Sequence, residues 1–172
     1  MKETLQDLKT RRSCRSYKPE QISDQELDQI LEAGTWAPSG MGAQSPVIVV
    51  IQDKETIQRL SRMNAEVAGQ PGSDPFYGAP TVLVVLADKS VRTYLQDGSL
   101  VMGNLLNAAH AIGVSSCWVH RAKEEFESEE GKEFLKKWGI EGNYEGISHC
   151  ILGYAVKEEE AKPRKADYIY RV

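Results

Sequence analysis

The chain has 172 residues, 41% of them hydrophobic and 27% charged, with a formal net charge of −4. That composition fits one globular domain burying roughly 70% of its unfolded surface, and no apolar run approaches the ~20 residues of a membrane span. The acidic balance argues against the broad basic face of a nucleic-acid binder, and three widely spaced cysteines with no Cys-x-x-Cys argue against a disulfide framework or structural zinc.

Residues 3–12 predict a short helix with Leu5 and Leu8 on one face. Ser23-Asp24-Gln25-Glu26 is a capping box, Ser23 placed to cap and Glu26 to reach back. The helix it starts carries Leu27, Ile30 and Leu31 and should end near Gly34. The apolar run 47–51 predicts a buried strand, and helical spacing returns over 54–68 through Ile57, Leu60 and Val67. Gly69 to Pro75 is dense in breakers and predicts a loop. Residues 81–87 read as a second buried strand. Residues 90–112 read as a helix apolar over most of its girth, which suits a core or an oligomer interface. A strand over 114–119, an amphipathic helix over 123–138 and a strand over 147–155 follow, the last holding His149 and Cys150 as core residues. From Lys157 the chain turns charged, then ends Tyr168-Ile169-Tyr170-Arg171-Val172, too apolar for a free tail. The expected organisation is a single domain over 1–172 whose residues 156–172 form an arm that docks.

The chemistry concentrates near the start. Arg11-Arg12-Ser13-Cys14-Arg15-Ser16-Tyr17 places three arginines within five residues of an acidic chain. Guanidinium groups hold phosphate through paired, charge-assisted hydrogen bonds, and serine hydroxyls add neutral ones. Ala37-Pro38-Ser39-Gly40-Met41-Gly42-Ala43-Gln44 is a turn whose glycines let backbone approach a flat ligand. The two segments read as a phosphate site with a platform for a phosphorylated cofactor, or as solvated basic surface beside an ordinary turn. Gly40-Met41-Gly42 follows no strand and fails as a dinucleotide fingerprint, and Walker A, Gly-x-Ser-x-Gly and His-Glu-x-x-His sequences are absent. The chain also lacks a signal-peptide apolar region in its first residues, so a cytoplasmic location is expected.

Four segments resemble the FMN-dependent nitroreductase family. Arg11-Arg12-Ser13-x-Arg15-x-Tyr17 is similar to that family's Arg-Arg-Ser-x-Arg-x-Phe opening, and 37–44 to its Ala-Pro-Ser-x-x-Asn-x-Gln segment. The run from Asp97-Gly98 through Asn104 to Ala109, then Gly113 to Val119, resembles its central helix and following strand. Leu152-Gly153-Tyr154 with Lys162-Pro163-Arg164-Lys165 resembles its close. The resemblance implies an α+β fold with a central, mostly antiparallel sheet flanked by helices, and a C-terminal arm exchanged in a homodimer. It also implies FMN at the interface, NADH or NADPH as reductant, and ping-pong hydride transfer through flavin N5 with no catalytic side chain.

By the same resemblance Arg11 and Ser13 would hold the FMN phosphate, with Arg164 and Lys162 closing from the arm. Arg12 would follow the ribityl and pyrimidine side, and Arg15 would sit by N1 and O2. Pro38, Ser39, Gly40, Gly42 and Gln44 would line the ring from the partner, while Trp118, Val119, His120 and Arg121 would border its N5 edge. Gly42 stands where the family has Asn, and Ser45 where it commonly has Pro. The acceptor implied is a small electron-poor molecule such as a nitroaromatic or quinone. Reductive dehalogenation, flavin fragmentation and a non-catalytic flavin-binding or sensory module are the alternatives. Neither nucleic acid nor membrane is expected as a partner.

Overall fold

Four strands, Pro46–Ile51 (β1), Thr81–Asp88 (β2), Ser115–Val119 (β3) and Tyr144–Gly153 (β4), form one antiparallel sheet in the order β1-β2-β4-β3. The computed structural model describes residues 2–157 and 159–172. Central β2 is buried from Thr81 to Ala87 on both faces, which is why its sequence is a continuous run of Val and Leu rather than an alternation. Its side chains alternate between two apolar layers. Val82, Val84 and Leu86 join Leu60, Met63, Phe126 and Phe134 on one face, while Leu83 and Val85 join Ile30, Met102 and Leu105 on the other.

Asp24–Thr35 (α2) and Tyr94–Ala111 (α4) supply the second layer, and Lys54–Val67 (α3) the first. The capping box forms as expected: Glu26 N–H donates to Ser23 Oγ at 3.3 Å and Ser23 N–H to Glu26 Oε2 at 2.8 Å. Glu3–Thr10 (α1) is helical but buries no residue, and Leu5 and Leu8 stay exposed. Val67 is exposed as well, because the buried face of α3 runs through Leu60, Ser61, Met63 and Asn64 instead.

Several expected boundaries move, among them the start of α4, at Tyr94 rather than residue 90. The single helix over 123–138 is two, Ala122–Glu127 (α5) and Glu129–Lys137 (α6), broken at extended Ser128. Ser128 Oγ donates to the Glu125 carbonyl at 2.6 Å and accepts from Gly131 N–H at 3.0 Å, ending one helix and starting the next. A Cβ at Gly131 would overlap the Glu125 carbonyl, so the break also needs glycine there. Strand β4 begins at Tyr144 rather than 147 and stops at Gly153. A bulge between Val85 and Leu86 of its partner skips Ile147 in the pairing and breaks the alternation between the strand's first three residues and the rest.

His149 and Cys150 are fully buried, and Cys14, Cys117 and Cys150 are buried free thiols. Past Val156 the described residues carry no helix or strand, and Tyr168, Ile169, Tyr170 and Val172 are exposed. No helix among the described residues is long and apolar enough to cross a membrane.

Candidate functional site

The arginine segment is laid along the outer edge of β3. Helix α1 ends where Arg11 turns extended, at φ −53° and ψ 132°. Ser13 then bridges Ser116 in parallel and Cys14 N–H donates to the Ser116 carbonyl at 2.9 Å. Farther on, Tyr17 bridges Ala155 antiparallel and Lys18 N–H donates to the Tyr154 carbonyl at 2.8 Å. Burial pushes the Cys117 thiol up, while Arg15, a Ser13 hydrogen bond and Arg11 pull it back. Arg11 Nη1 is buried with no hydrogen-bond partner. A buried guanidinium nitrogen left in that state is costly, and its charge and fork geometry suit a phosphate oxygen. Arg12 behaves differently: its Nη1 donates back to the carbonyls of Lys9 at 2.9 Å and Arg11 at 2.6 Å, closing the end of α1. A cavity of about 410 Å³ follows this strip, with Arg12, Cys14, Ser116 and Lys157 among its lining residues.

The glycine turn is built around a buried carboxylate. Asp97, in the first turn of α4, accepts from Gly40 N–H at 2.9 Å on one oxygen. On the other it accepts from Ser45 Oγ at 2.9 Å and Thr93 Oγ1 at 3.1 Å. Gly40 packs so closely on Thr93 that a Cβ would overlap its side chain. Ser39 Oγ accepts from Gln44 N–H at 3.0 Å and closes the turn. Met41, Gly42 and Gln44 all adopt left-handed backbone, at φ 54°, 68° and 49°. Two of these are not glycine, a strain that persists only where surrounding bonds fix the chain. Ser45, in place of proline, gives Asp97 one of those bonds.

Where β3 ends, Arg121 takes a left-handed conformation at φ 79° and α5 follows at once. Half-buried Trp118 donates its indole N–H to His120 Nδ1 at 3.3 Å, their rings 5.7 Å apart. From beneath, buried Asn64 of α3 donates to the His120 carbonyl at 2.6 Å and accepts from Arg121 Nη1 at 3.3 Å.

A profile of the Nitroreductase family matches residues 8–154, a span holding the arginine strip, the glycine turn and the β3 exit. The chain belongs to the nitroreductase family. It is 33% identical over 165 residues to a protein of Archaeoglobus fulgidus named as an NADH dehydrogenase/NAD(P)H nitroreductase, covering 93% of this chain and 90% of that one. It is 38% identical over 186 residues to an FMN reductase [NAD(P)H] of Bacillus subtilis, covering 95% of this chain and 70% of the relative. Among solved structures, an FMN-bound nitroreductase of Bacteroides fragilis superposes with a TM-score of 0.92 at 26% identity, each chain covered in full. Another FMN-bound nitroreductase, from Desulfitobacterium hafniense, gives 0.90 at 30% identity, covering 100% and 99%.

Within this family member the expected site residues fall into three sets. Arg11, Arg12, Ser13 and Arg15 lie on the segment that bridges β3 at Ser116, the strand that leads into Trp118–Arg121. Pro38, Ser39, Gly40, Gly42 and Gln44 lead into β1, at the opposite edge of the sheet. Lys162 and Arg164 are exposed on the arm. Within one copy the arginine strip and the glycine turn thus belong to opposite edges of the sheet, while Lys157 at the start of the arm lines the cavity beside Arg12. Sequence reasoning passed over Asn64 and Glu125, and it quoted Asp97 only as part of a resemblance. Asp97 stands in an apolar helix and could have been noticed, whereas Asn64 and Glu125 lie in polar stretches that hide them.

Proposed function

We propose that the protein is an FMN-dependent oxidoreductase that takes hydride from NADH or NADPH and passes it to an electron-poor acceptor such as a nitroaromatic or quinone. The observation that carries this reading is the buried, partnerless Arg11 Nη1 beside Ser13 and Arg15 at the β3 edge. The names of the relatives and the FMN in the two structural neighbours agree with it. When bound, FMN would supply the hydride chemistry at its N5, so no side chain need act as acid or base.

The chain's own residues would bind and orient. Arg11 and Ser13 would hold the phosphate, joined by Arg164 and Lys162 of the arm, and Arg12 would border the ribityl side. Arg15 would place positive charge where negative charge develops on the pyrimidine ring. Trp118, Val119, His120 and Arg121 would border the N5 edge. Pro38, Ser39, Gly40, Gly42 and Gln44 would come from a second copy, since they occupy the other edge of their own sheet. The functional unit is then a homodimer of single-domain chains. Reductant and acceptor would use one ring face in turn, in a ping-pong scheme, and the three buried free thiols suit a reducing cytoplasm.

The test is the visible spectrum of the purified protein, FMN titration, and steady-state NADH and NADPH oxidation with and without a quinone. The reading expects one FMN per chain, bleaching by a nicotinamide and acceptor-dependent turnover. A colourless protein whose addition leaves FMN fluorescence unquenched overturns it.

A further inference from the structure

We infer that Asn64, backed by Glu125 and His149, is a positioning unit that sets the His120–Arg121 peptide against the cofactor ring. The inference rests on the reading above that the β3 exit borders FMN. Asn64 is fully buried on α3 between Leu60, Met63 and Ala65, where an apolar side chain would pack without any polar cost. Its amide instead spends every visible bond on one place. Nδ2 donates to the His120 carbonyl and to Glu125 Oε1, and Oδ1 accepts from Arg121 Nη1. Two consecutive residues of the strand exit and the first turn of α5 are thereby tied to one side chain.

The segment held in this way needs holding. Arg121 is a left-handed, non-glycine residue, a conformation that persists only when its surroundings fix it. Because the His120 carbonyl turns inward to Asn64, the N–H of the same trans peptide, that of Arg121, turns outward. The amide of Asn64 thus decides which way this peptide unit faces. Glu125 in turn is fully buried, with His149 Nε2 3.2 Å from its second oxygen, an ion-pair contact rather than a hydrogen bond. His149 is wedged between Phe76 and Phe126, with ring centroids 5.1 and 6.4 Å away. Rigid β4 and two aromatic rings therefore back the carboxyl that backs Asn64. Simple docking of α3 on α5 would need no bond to the His120 carbonyl and none to Arg121.

The experiment compares the FMN-loaded wild type with Asn64→Leu, similar in size but unable to make any of these bonds. Ser61→Ala serves as control: Ser61 lies one turn earlier on α3 and bonds Asp74 at 2.6 Å, away from the β3 exit. The readouts are FMN affinity, the ratio of reduced to oxidised FMN affinity from potentiometry, the stopped-flow rate of reduction by NADH, and the melting temperature. Asn64→Leu should bind FMN within about threefold of wild type, yet shift the affinity ratio and slow reduction by about tenfold each. Ser61→Ala should lower only the melting temperature. An Asn64→Leu protein that melts lower but keeps the wild-type ratio and rate would make Asn64 a core residue only and overturn the inference. Asn64→Ser keeps a hydroxyl but cannot span to His120, and repeats the comparison if the leucine variant does not fold. Wild type that binds no FMN would instead sink the functional reading.

Discussion

Arg11 and Arg15 carry the same charge, but their removal should have different consequences. Arg11 Nη1 is buried without a partner, and in the proposed function it holds the FMN phosphate. Arg11→Ala should weaken FMN binding by about 1.5–3 kcal/mol, the worth of a hydrogen bond to a charged group, measured by fluorescence quenching. Arg15 is exposed, and its charge favours the thiolate of Cys117 on β3. Arg15→Ala should lower the flavin's midpoint potential and change affinity less, because support for negative charge on the ring is lost. Equal potentials in variant and wild type would remove Arg15 from the ring. Gly42 offers a third comparison. A Cβ there meets nothing within 4 Å, and φ 68° is a conformation that Asn tolerates. Gly42→Asn should therefore fold with a loss under about 1 kcal/mol and tighten FMN binding if the added side chain reaches the ring; unchanged affinity would show that it does not. These residues were legible in the sequence because three arginines in an acidic chain, or glycines in a tight turn, violate local expectation. Asn64 violates nothing until its burial is seen.

Elements that cap themselves were legible to within a residue or two, and those shaped by distant contacts were not. Ser23 and Glu26 announce the start of α2 because both partners lie within one turn. Ser128 carries the same kind of signal, but the apolar period of Phe126, Phe134 and Trp138 runs across it and suggests one helix. The break depends on close packing at Gly131, which periodicity does not encode. The glycine turn shows the same limit: its glycines are local, while its anchor Asp97 is 57 residues from Gly40. Asp97→Ala would leave Gly40 N–H, Ser45 Oγ and Thr93 Oγ1 without their acceptor, and should cost about 2–4 kcal/mol in urea unfolding. FMN binding should weaken with it if the turn walls the ring. The capping box gives a pH test. Ser23 hydrogen bonds, joined by Tyr154 Oη at 2.8 Å, hold the Glu26 carboxyl below its ordinary 4.5. Folding thus favours the charged form, so the contribution is complete above pH 4.5 and is lost as pH falls through the depressed value. Wild type should melt above Glu26→Gln at pH 6, and the gap should narrow as pH falls below 4.5; a gap independent of pH would show that the carboxylate's charge does not contribute.

At the scale of the whole molecule, the sheet's two edges pose one question and the arm bears on it. Among the described residues no strand pairs with the outer side of edge strand β1, and a groove of about 460 Å³ runs along Val47–Val50 beside Trp138 and Tyr144. Exposed backbone at a sheet edge invites pairing with another strand. The arm's exposed Tyr168, Ile169, Tyr170 and Val172 have the β-favouring, apolar character that such a groove would accept. Leu5 and Leu8 of α1, with Leu95 and Leu100 of α4, add further uncovered apolar surface, which one copy leaves in water and a dimer would cover. If the arm crosses to the partner, its backbone and aromatics would strengthen the dimer while Lys162 and Arg164 added charge to the phosphate site. These contributions separate by mutation. Deleting residues 157–172 should weaken dimerisation and FMN affinity together. Arg164→Ala should weaken FMN affinity by roughly tenfold, as for the loss of one charge-assisted bond, and leave the dimer intact. Sedimentation equilibrium and FMN titration on both variants make the comparison. A truncated chain that dimerises and binds FMN like wild type would make the arm a bystander and leave β1 to another neighbour. A truncated chain that loses FMN but stays dimeric would confine the arm to the phosphate site, with the leucines of α1 and α4 then carrying the association.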